Sequence, residues 1–331
     1  MNFLFLFPLF LREGQSELNK MKSIIKIIII SILLFSCGNG KTFDPPDNPD
    51  PEPTIADLFF GTDSTFDVLT WNIQEFPKNG NTTISYVLQI IEALNVDVIA
   101  LQEMDSETDF VYLKNSLIGW NGFRASYPQS SYYNPPVAYL YNSNTIQMDD
   151  IFEIFIYDDR PFPRPPLIME LIWNSVPIVM INNHLKAGGD GIIDHSDSWD
   201  EEHRRMDACV MLEEYISENY LNSNVILLGD LNDNLTDQLE NNVFEIFLDD
   251  IEIYRFADMG IAIGNNSNWS WGNGSSHLDH ILVTNELFDE FENPDSKAET
   301  ILIDDYLQFG WQEYEDNISD HLPVGLKLKF N

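Results

Sequence analysis

Cysteine and positive charge are what this sequence has least of. Cys37 and Cys209 are the only thiols in 331 residues. A framework of several disulfides, the device of small secreted domains, is therefore excluded. Lys and Arg number 17 against 54 Asp and Glu, a formal charge of −37. Proteins that hold nucleic acid passively are basic, so that class is excluded as well. An enzyme that meets phosphate through a divalent cation is not, because the ion supplies the local positive charge. No apolar run approaches the roughly 20 residues of a membrane-spanning helix. What the chain does have is apolar mass, 44% hydrophobic and 13% aromatic, enough to build the core of one large domain.

The first 55 residues read as targeting and spacer rather than fold. Residues 1–20 look like an overlong start, with Met21 the expected initiator. "MKSIIKIIIISILLFSC" then combines Lys22 and Lys26 with an apolar run from Ile27 to Phe35. That is a signal peptide over residues 21–36. Its "LFSC" ending resembles a bacterial lipoprotein cleavage box, which implies lipid on Cys37 and an exported protein anchored to the bacterial cell envelope, at the outer membrane or cell surface. An ordinary signal or a membrane anchor is the alternative. "GNGKTFDPPDNPDPEPT" has almost nothing to bury, so residues 37–55 are expected to form an extended tether. With Cys37 acylated, Cys209 has no partner. It lies in a helical pattern and reads as a small buried hydrophobe.

From residue 56 to 331 a single domain is expected. "FDVLTWNI", "DVIALQE", "VAYLYN", "IFEIFIYD", "LIMELIWN", "PIVMINNHL", "NVILLGD", "HLDHILVT" and "DHLPVGLKLKF" read as strands. "TISYVLQIIEAL" aligns Ile84, Val87, Leu88, Ile91 and Leu94 on one helical face, and "DEEHRRMDACVMLEEYISEN" is a second helix with Asp200 as N-cap. Hairpin-like strand pairs with helices among them predict α/β layers rather than a purely parallel sheet.

Polar residues recur at the strand ends: Asn72, Glu103, His184, Asp230 with Asn232, Asp279, and Asp320 with His321. Taken singly, each has an ordinary reading as a turn former, an exposed acid, a helix cap or a satisfied core histidine. Hydrolysis of a phosphate ester needs an activated water, a clamp on the developing charge and help for the leaving oxygen. Hard oxygen donors of this kind favour Mg²⁺, Mn²⁺ or Ca²⁺ over Zn²⁺. Glu103 is the first choice of metal ligand, Asn72 adds a neutral oxygen or an outer-sphere contact, and Asp320 stands next to His321. His321 is the preferred general base, since histidine changes charge near neutral pH.

The segments "WNIQ", "LQE", "NHLKAG", "GDLND", "LDHILV" and "SDHLPV" run from Trp71 to Val324, and in this order they resemble the endonuclease/exonuclease/phosphatase superfamily. The resemblance implies a four-layer α/β/β/α sandwich of two mixed sheets flanked by helices, with the site at the top of the sheets. It also implies that Asp279 orients His321, that Asp230 orients or deprotonates the attacking water, that Asn232 donates to a phosphate oxygen, and that His184 faces the scissile phosphate. Gly229 would permit close backbone approach at this site.

Other residues invite a role. Lys186, Arg204 and Arg205 follow the "HL" motif as phosphate contacts or as a solvated helix start. Trp269 and Trp271 read first as core, second as substrate contacts. The Asp- and His-rich stretch after His184 offers a structural Ca²⁺ site as a secondary reading, without regular ligand spacing. His280 points away from the cleft by strand alternation. The expected function is a metal-dependent phosphodiester hydrolase, foremost a nuclease on extracellular DNA or RNA and expected to be a monomer. A phosphatase or phospholipase on inositol phosphates or sphingomyelin, and a binding module without catalysis, are the alternatives. A long cleft rimmed by Arg, Lys and Asn would favour the nuclease.

Overall fold

The structure, a computed structural model, describes residues 53–126 and 134–330. The expected start segment, signal peptide, Cys37 and tether up to residue 52 lie outside them. The composition puts the end of the tether at residue 55, yet Ile55 is buried in the core, in a 3-10 turn (Ile55–Asp57) whose carboxylate caps Thr54.

Largely apolar runs become central strands, because both faces are covered. β1 (Phe66–Asn72) and β2 (Val98–Gln102) are buried along their whole length and pair in parallel. They sit in the middle of a six-stranded sheet completed by β3 (Trp120–Arg124), β4 (Ala138–Asn142), β11 (Lys297–Thr300) and β12 (Val324–Leu328), in the order β11-β12-β1-β2-β4-β3. The second sheet has the order β5-β6-β7-β8-β10-β9, from β5 (Ile146–Glu153), β6 (Leu167–Trp173), β7 (Val176–His184), β8 (Val225–Asp230), β9 (Tyr254–Phe256) and β10 (Asp279–Thr284). Its parallel pair is β7 with β8.

Side-chain alternation along these strands divides the core into three layers. Val68, Ala100, Met180, Leu228, Ile281 and Leu326 face the space between the sheets. On the outer face of the first sheet, Leu69, Trp71 and Leu101 meet helices α1 (Asn81–Leu94) and α2 (Glu107–Ser116) through Ile84, Val87 and Phe110. On the outer face of the second, Ile181, Leu227 and Leu282 meet α3 (Glu201–Asn219) through Ala208, Cys209 and Leu212. A fourth helix, α4 (Gly310–Asn317), adds Tyr314 to the first outer layer. The four-layer sandwich is thus as expected. Burying each of the larger aliphatic and aromatic side chains among these is worth about 1.5–3 kcal/mol. A one-residue slip would turn them out and turn polar neighbours in, so the alternation fixes the register.

Two local expectations shift. On α1, Ile90 enters the core while Leu88 is only half-buried. Of the run Ile151–Asp158, only Ile151–Glu153 is strand. Phe155 adopts a left-handed φ of 55°, turning the chain so that Phe155 stacks on Phe162 in the outer layer. The rest of β5 is an edge segment in which Ile146 is buried between the sheets and residues 147–150 are exposed.

Candidate active site

The register carries the polar tips to one edge. Asn72 at the end of β1 lies opposite Gln102, directly before Glu103, and His184 at the end of β7 lies opposite Asp230. β10 runs antiparallel to β8 and so begins at that edge, with Asp279 opposite Asp230. β12 runs antiparallel to β1, which places Asp320 and His321 just before it on the same side. Asn72, Glu103, His184, Asp230, Asn232, Asp320 and His321 line one cavity of about 670 Å³, and Asp279 stands behind His321.

Gly229 shows why β8 ends as it does. A Cβ there would lie 1.9 Å from the carbonyl oxygen of Asn183 on β7, at a φ of 150°. Only glycine lets the two strands approach closely enough to set His184 beside Asp230. Beyond the strand tips, Gln74, Glu75, Glu103 and Asn232 all have left-handed φ, between 40° and 59°. Each such turn costs a side-chain-bearing residue about 1–2 kcal/mol. Their concentration at the cavity aims the Glu103 carboxylate, whose Oε2 accepts the Glu75 amide at 3.0 Å, and the Asn232 side chain.

Asp230 is the centre of the contacts. Its Oδ2 accepts from Asn72 Nδ2 at 2.9 Å and lies 3.4 Å from His184 Nε2 and 3.7 Å from His321 Nε2; its Oδ1 accepts from the Asn232 amide at 3.1 Å. On the far side of His321, Nδ1 donates to Asp279 Oδ2 at 2.7 Å, which leaves Nε2 facing Asp230 and the cavity. The Asn72 amide group turns its nitrogen to Asp230 and to Glu103 Oε1 (3.4 Å), while its oxygen accepts the Gln74 amide at 3.0 Å. It therefore orients carboxylates and makes an outer-sphere contact. Beneath the floor, Gln102 Nε2 donates to Asn182 Oδ1 at 2.8 Å, and Asn182 Nδ2 donates to the carbonyls of Leu101 and Ala138. These bonds join the two sheets.

Burial, helped by the Asp279 and Glu103 carboxylates, pushes Asp230 up to about 6 against the opposing pull of His321 and the Asn72 amide. Burial would lower His321, but the carboxylates of Asp279 and Asp230 on either side outweigh it and hold the imidazolium well above the ordinary histidine range. His184 moves the other way. Burial, reinforced by Arg164 and His321, drives it far below that range, so its ring is neutral.

Arg164 was not legible as a site residue. It is buried, its Nε has no hydrogen-bond partner, its Nη1 reaches only the Leu185 carbonyl at 3.5 Å, and its charge acts on Glu103 and Asp230. The one signal was an arginine set among prolines just ahead of a buried strand. Sequence reasoning also gave Trp271 first to the core. It lines the cavity instead, its indole N–H donating to Asp320 Oδ2 at 3.2 Å. Trp269 does not line the cavity.

Glu103, Asp230, Asp279 and Asp320 bring four carboxylates to the cavity and its wall, and Asp279 Oδ1 is buried without a partner. The Arg164 guanidinium and the His321 imidazolium do not balance them, with Glu75 also in the lining. Hard anionic oxygens in excess fit Mg²⁺, Mn²⁺ or Ca²⁺. The tightest group of potential ligands there is Asp230, Asp279 and His321, with ligand atoms within 4.8 Å of one another.

The bases after His184 are not free phosphate contacts. Arg205 is buried; its Nε donates to Asp233 Oδ2 at 2.9 Å and its Nη1 to the carbonyls of Lys186 and Gly188. Arg204 donates to the carbonyls of Arg160 and Asp159, and Lys186 faces Glu201 at 3.6 Å. In the acidic stretch Asp194, Asp197 and Asp200 accept the amides of Ser196, Trp199 and His203, so they are turn and cap formers. His277 and His280 have a shared partner that the sequence did not reveal. His280 Nδ1 lies 2.6 Å and His277 Nε2 3.0 Å from Asp258 Oδ2, and His280 Nε2 donates to the Asp233 carbonyl at 2.9 Å.

Similar architectures occur among solved structures. Zebrafish TDP2 complexed with a single-strand DNA product is 14% identical, with a TM-score of 0.60, covering 81% of this chain and 100% of that one. The human Nocturnin catalytic domain with bound sulfate is 16% identical, with a TM-score of 0.58 over 81% of this chain and 95% of that one. A mannosyl-6-phosphatase of Bacteroides thetaiotaomicron is 15% identical, with a TM-score of 0.56 over 80% of this chain and all of that one. No curated protein sequence matches. The sequence pattern that does match spans residues 69–321, from β1 to the histidine behind which Asp279 stands, and by it the chain belongs to the endonuclease/exonuclease/phosphatase family.

Proposed function

We propose that this protein is a divalent-metal-dependent phosphoester hydrolase, working by attack of water on phosphorus. The supporting observation is the convergence of Asp230, His321, Asp279, His184 and Glu103 on one cavity from both sheets. Glu103 and Asp320, both in the lining, would hold Mg²⁺ or Mn²⁺. The ion supplies charge neutralisation at phosphorus and a more acidic water. Asp230, ionised above about pH 6, accepts the proton of the attacking water. His321, kept cationic by Asp279, faces the same space with Nε2 and stabilises the developing negative charge. This reverses the roles expected from sequence, where His321 was the preferred base. Asn232 lines the cavity as a donor to a phosphate oxygen, and neutral His184 serves the leaving oxygen.

Two substrate readings have support. DNA or RNA, the first expectation, is supported by the likeness to a TDP2 structure holding a DNA product; a phosphorylated sugar is supported by the likeness to a mannosyl-6-phosphatase. Inositol phosphates and sphingomyelin find no comparable support. For localisation we propose export with lipid on Cys37, supported by the Lys-flanked apolar run and the "LFSC" ending. Incorporation of labelled fatty acid that is lost in Cys37→Ala tests it. Among the described residues no helix is long and apolar enough to cross a membrane. The hydrolase is tested by release of p-nitrophenol from bis(p-nitrophenyl) phosphate with Mg²⁺, Mn²⁺ or EDTA. Turnover that EDTA leaves unchanged would refute the metal-dependent reading.

A further inference from the structure

We propose that the substrate is a small phosphate ester whose phosphate is its only anionic group, carried by an uncharged ring-shaped alcohol such as a monosaccharide, and not a polynucleotide or polyphosphorylated molecule. This rests on the hydrolase reading above. Among the described residues no Lys or Arg lines the cavity, and the stretch 127–133 (YPQSSYY) contains neither. The nearby bases serve the protein itself. Arg124 donates to the carbonyls of Met104 and Asp105 at 2.7 and 2.8 Å, Lys186 faces Glu201, and Arg205 is locked to Asp233. Lys78 donates to Gln74 Oε1 and to the Glu315 carbonyl. Among the described residues the positive charge left to meet a phosphate is His321 in the lining, supported by Arg164, which is buried outside the lining and acts through its charge on Glu103 and Asp230, and this suits a single phosphate. Further phosphates would face the exposed Glu75 carboxylate at the mouth, in a chain with formal charge −37. A polynucleotide enzyme neutralises several phosphates at once with Lys and Arg, and among the described residues no such track lines this cavity.

The size and wall of the cavity agree. Its volume of about 670 Å³ is that of a small-molecule site. Trp271 forms part of the wall and is rigidly held. Its amide donates to the Ser276 carbonyl at 3.0 Å, the Gly272 amide to the Asp320 carbonyl at 3.0 Å, and its indole N–H to Asp320. An indole fixed beside the reacting phosphate gives the C–H face of a sugar ring a surface to stack on. In the reaction the water oxygen forms a new bond to phosphorus and the bond from phosphorus to the sugar oxygen breaks. The released alcohol takes up a proton, giving free sugar and hydrogen phosphate.

The test measures kcat/KM for the purified full chain with Mg²⁺ on hexose 6-phosphates, inositol hexakisphosphate, a single-stranded oligonucleotide, plasmid DNA and bis(p-nitrophenyl) phosphate. A hexose phosphate should exceed the oligonucleotide, per bond, by at least about 100-fold. Its kcat/KM should change less than about threefold between 50 and 200 mM salt, where an enzyme relying on six or more phosphate contacts would lose about 10³-fold. Trp271→Ala should raise KM for the sugar phosphate about tenfold or more, and Trp271→Phe should recover most of it. Preference for DNA, a steep salt dependence, or an unchanged KM in Trp271→Ala overturns the inference and leaves the hydrolase intact. Failure on every substrate, the nitrophenyl diester included, removes both.

Discussion

At the scale of single residues, Asp230 and His321 set the chemistry. Removing either acidic or basic member of such a pair typically costs about 10²–10⁴ in rate, so Asp230→Asn and His321→Ala should each lower kcat on bis(p-nitrophenyl) phosphate by that factor while KM moves little. If Asp230 is the proton acceptor, the pH–rate profile should rise through about pH 6, and Asp230→Asn should erase that limb. The same residue links stability to metal. Its folded value of about 6 lies above the ordinary 3.8, so the protonated form is favoured in the metal-free fold. This contribution is complete below pH 3.8 and is lost as the pH rises toward 6 and the buried carboxylate must ionise. Mg²⁺ relieves that cost, and it should therefore raise Tm by about 3 °C or more at pH 7 and by less at pH 5, as calorimetry would show. Arg164 belongs to the same scale. Arg164→Met keeps the side-chain length without its charge, and should make His184 easier to protonate, read as an upward shift of its NMR titration.

Between the residue and the whole lie the loops that carry these groups, and buried ions tie them down. The Asp233 carbonyl accepts from His280, its carboxylate accepts from Arg205, and Arg205 also holds the Lys186 and Gly188 carbonyls. The loop after β8 and the loop after β7 are thus fixed to each other through α3. Asp258→Ala leaves the buried rings of His277 and His280 without their shared carboxylate, and should cost about 3–5 kcal/mol in denaturant melts. Arg205→Met should lower kcat more than it lowers Tm, since it frees two loops but keeps the apolar stem of the side chain. Much of this level was legible in the sequence. The largely apolar runs of β1, β2, β8 and β10 announced strands, and Asp200 announced the start of α3, where it accepts the His203 amide. What stayed hidden had weak or misleading local signals. β3, "WNGFR", alternates between half-buried and exposed and carries a glycine. α2 ends a loop with few apolar residues, and β11 is four residues long. The Asp258–His280 pair could not be found because its members are 22 residues apart and meet only through strand pairing of β9 and β10. All eight expected site residues reach the cavity or its immediate wall, because each stands at or next to the end of a strand whose register is forced by burial.

For the whole molecule, the two sheets are alike in layout, each with a central parallel pair, and the site occupies the seam where both pairs end. Chelation should remove turnover without unfolding the sandwich, since three apolar layers hold it together; EDTA should leave the far-ultraviolet circular dichroism unchanged while activity falls to background, and restored Mg²⁺ should bring it back.

The hydrogen bonds from Asn72 to Asp230 and from His321 to Asp279 each run from one sheet to the other. Neither half of the sandwich therefore owns a working catalytic set. Turnover acts as a gauge of how the halves are seated: slow loosening of the seam, long before any strand melts, would silence the enzyme first.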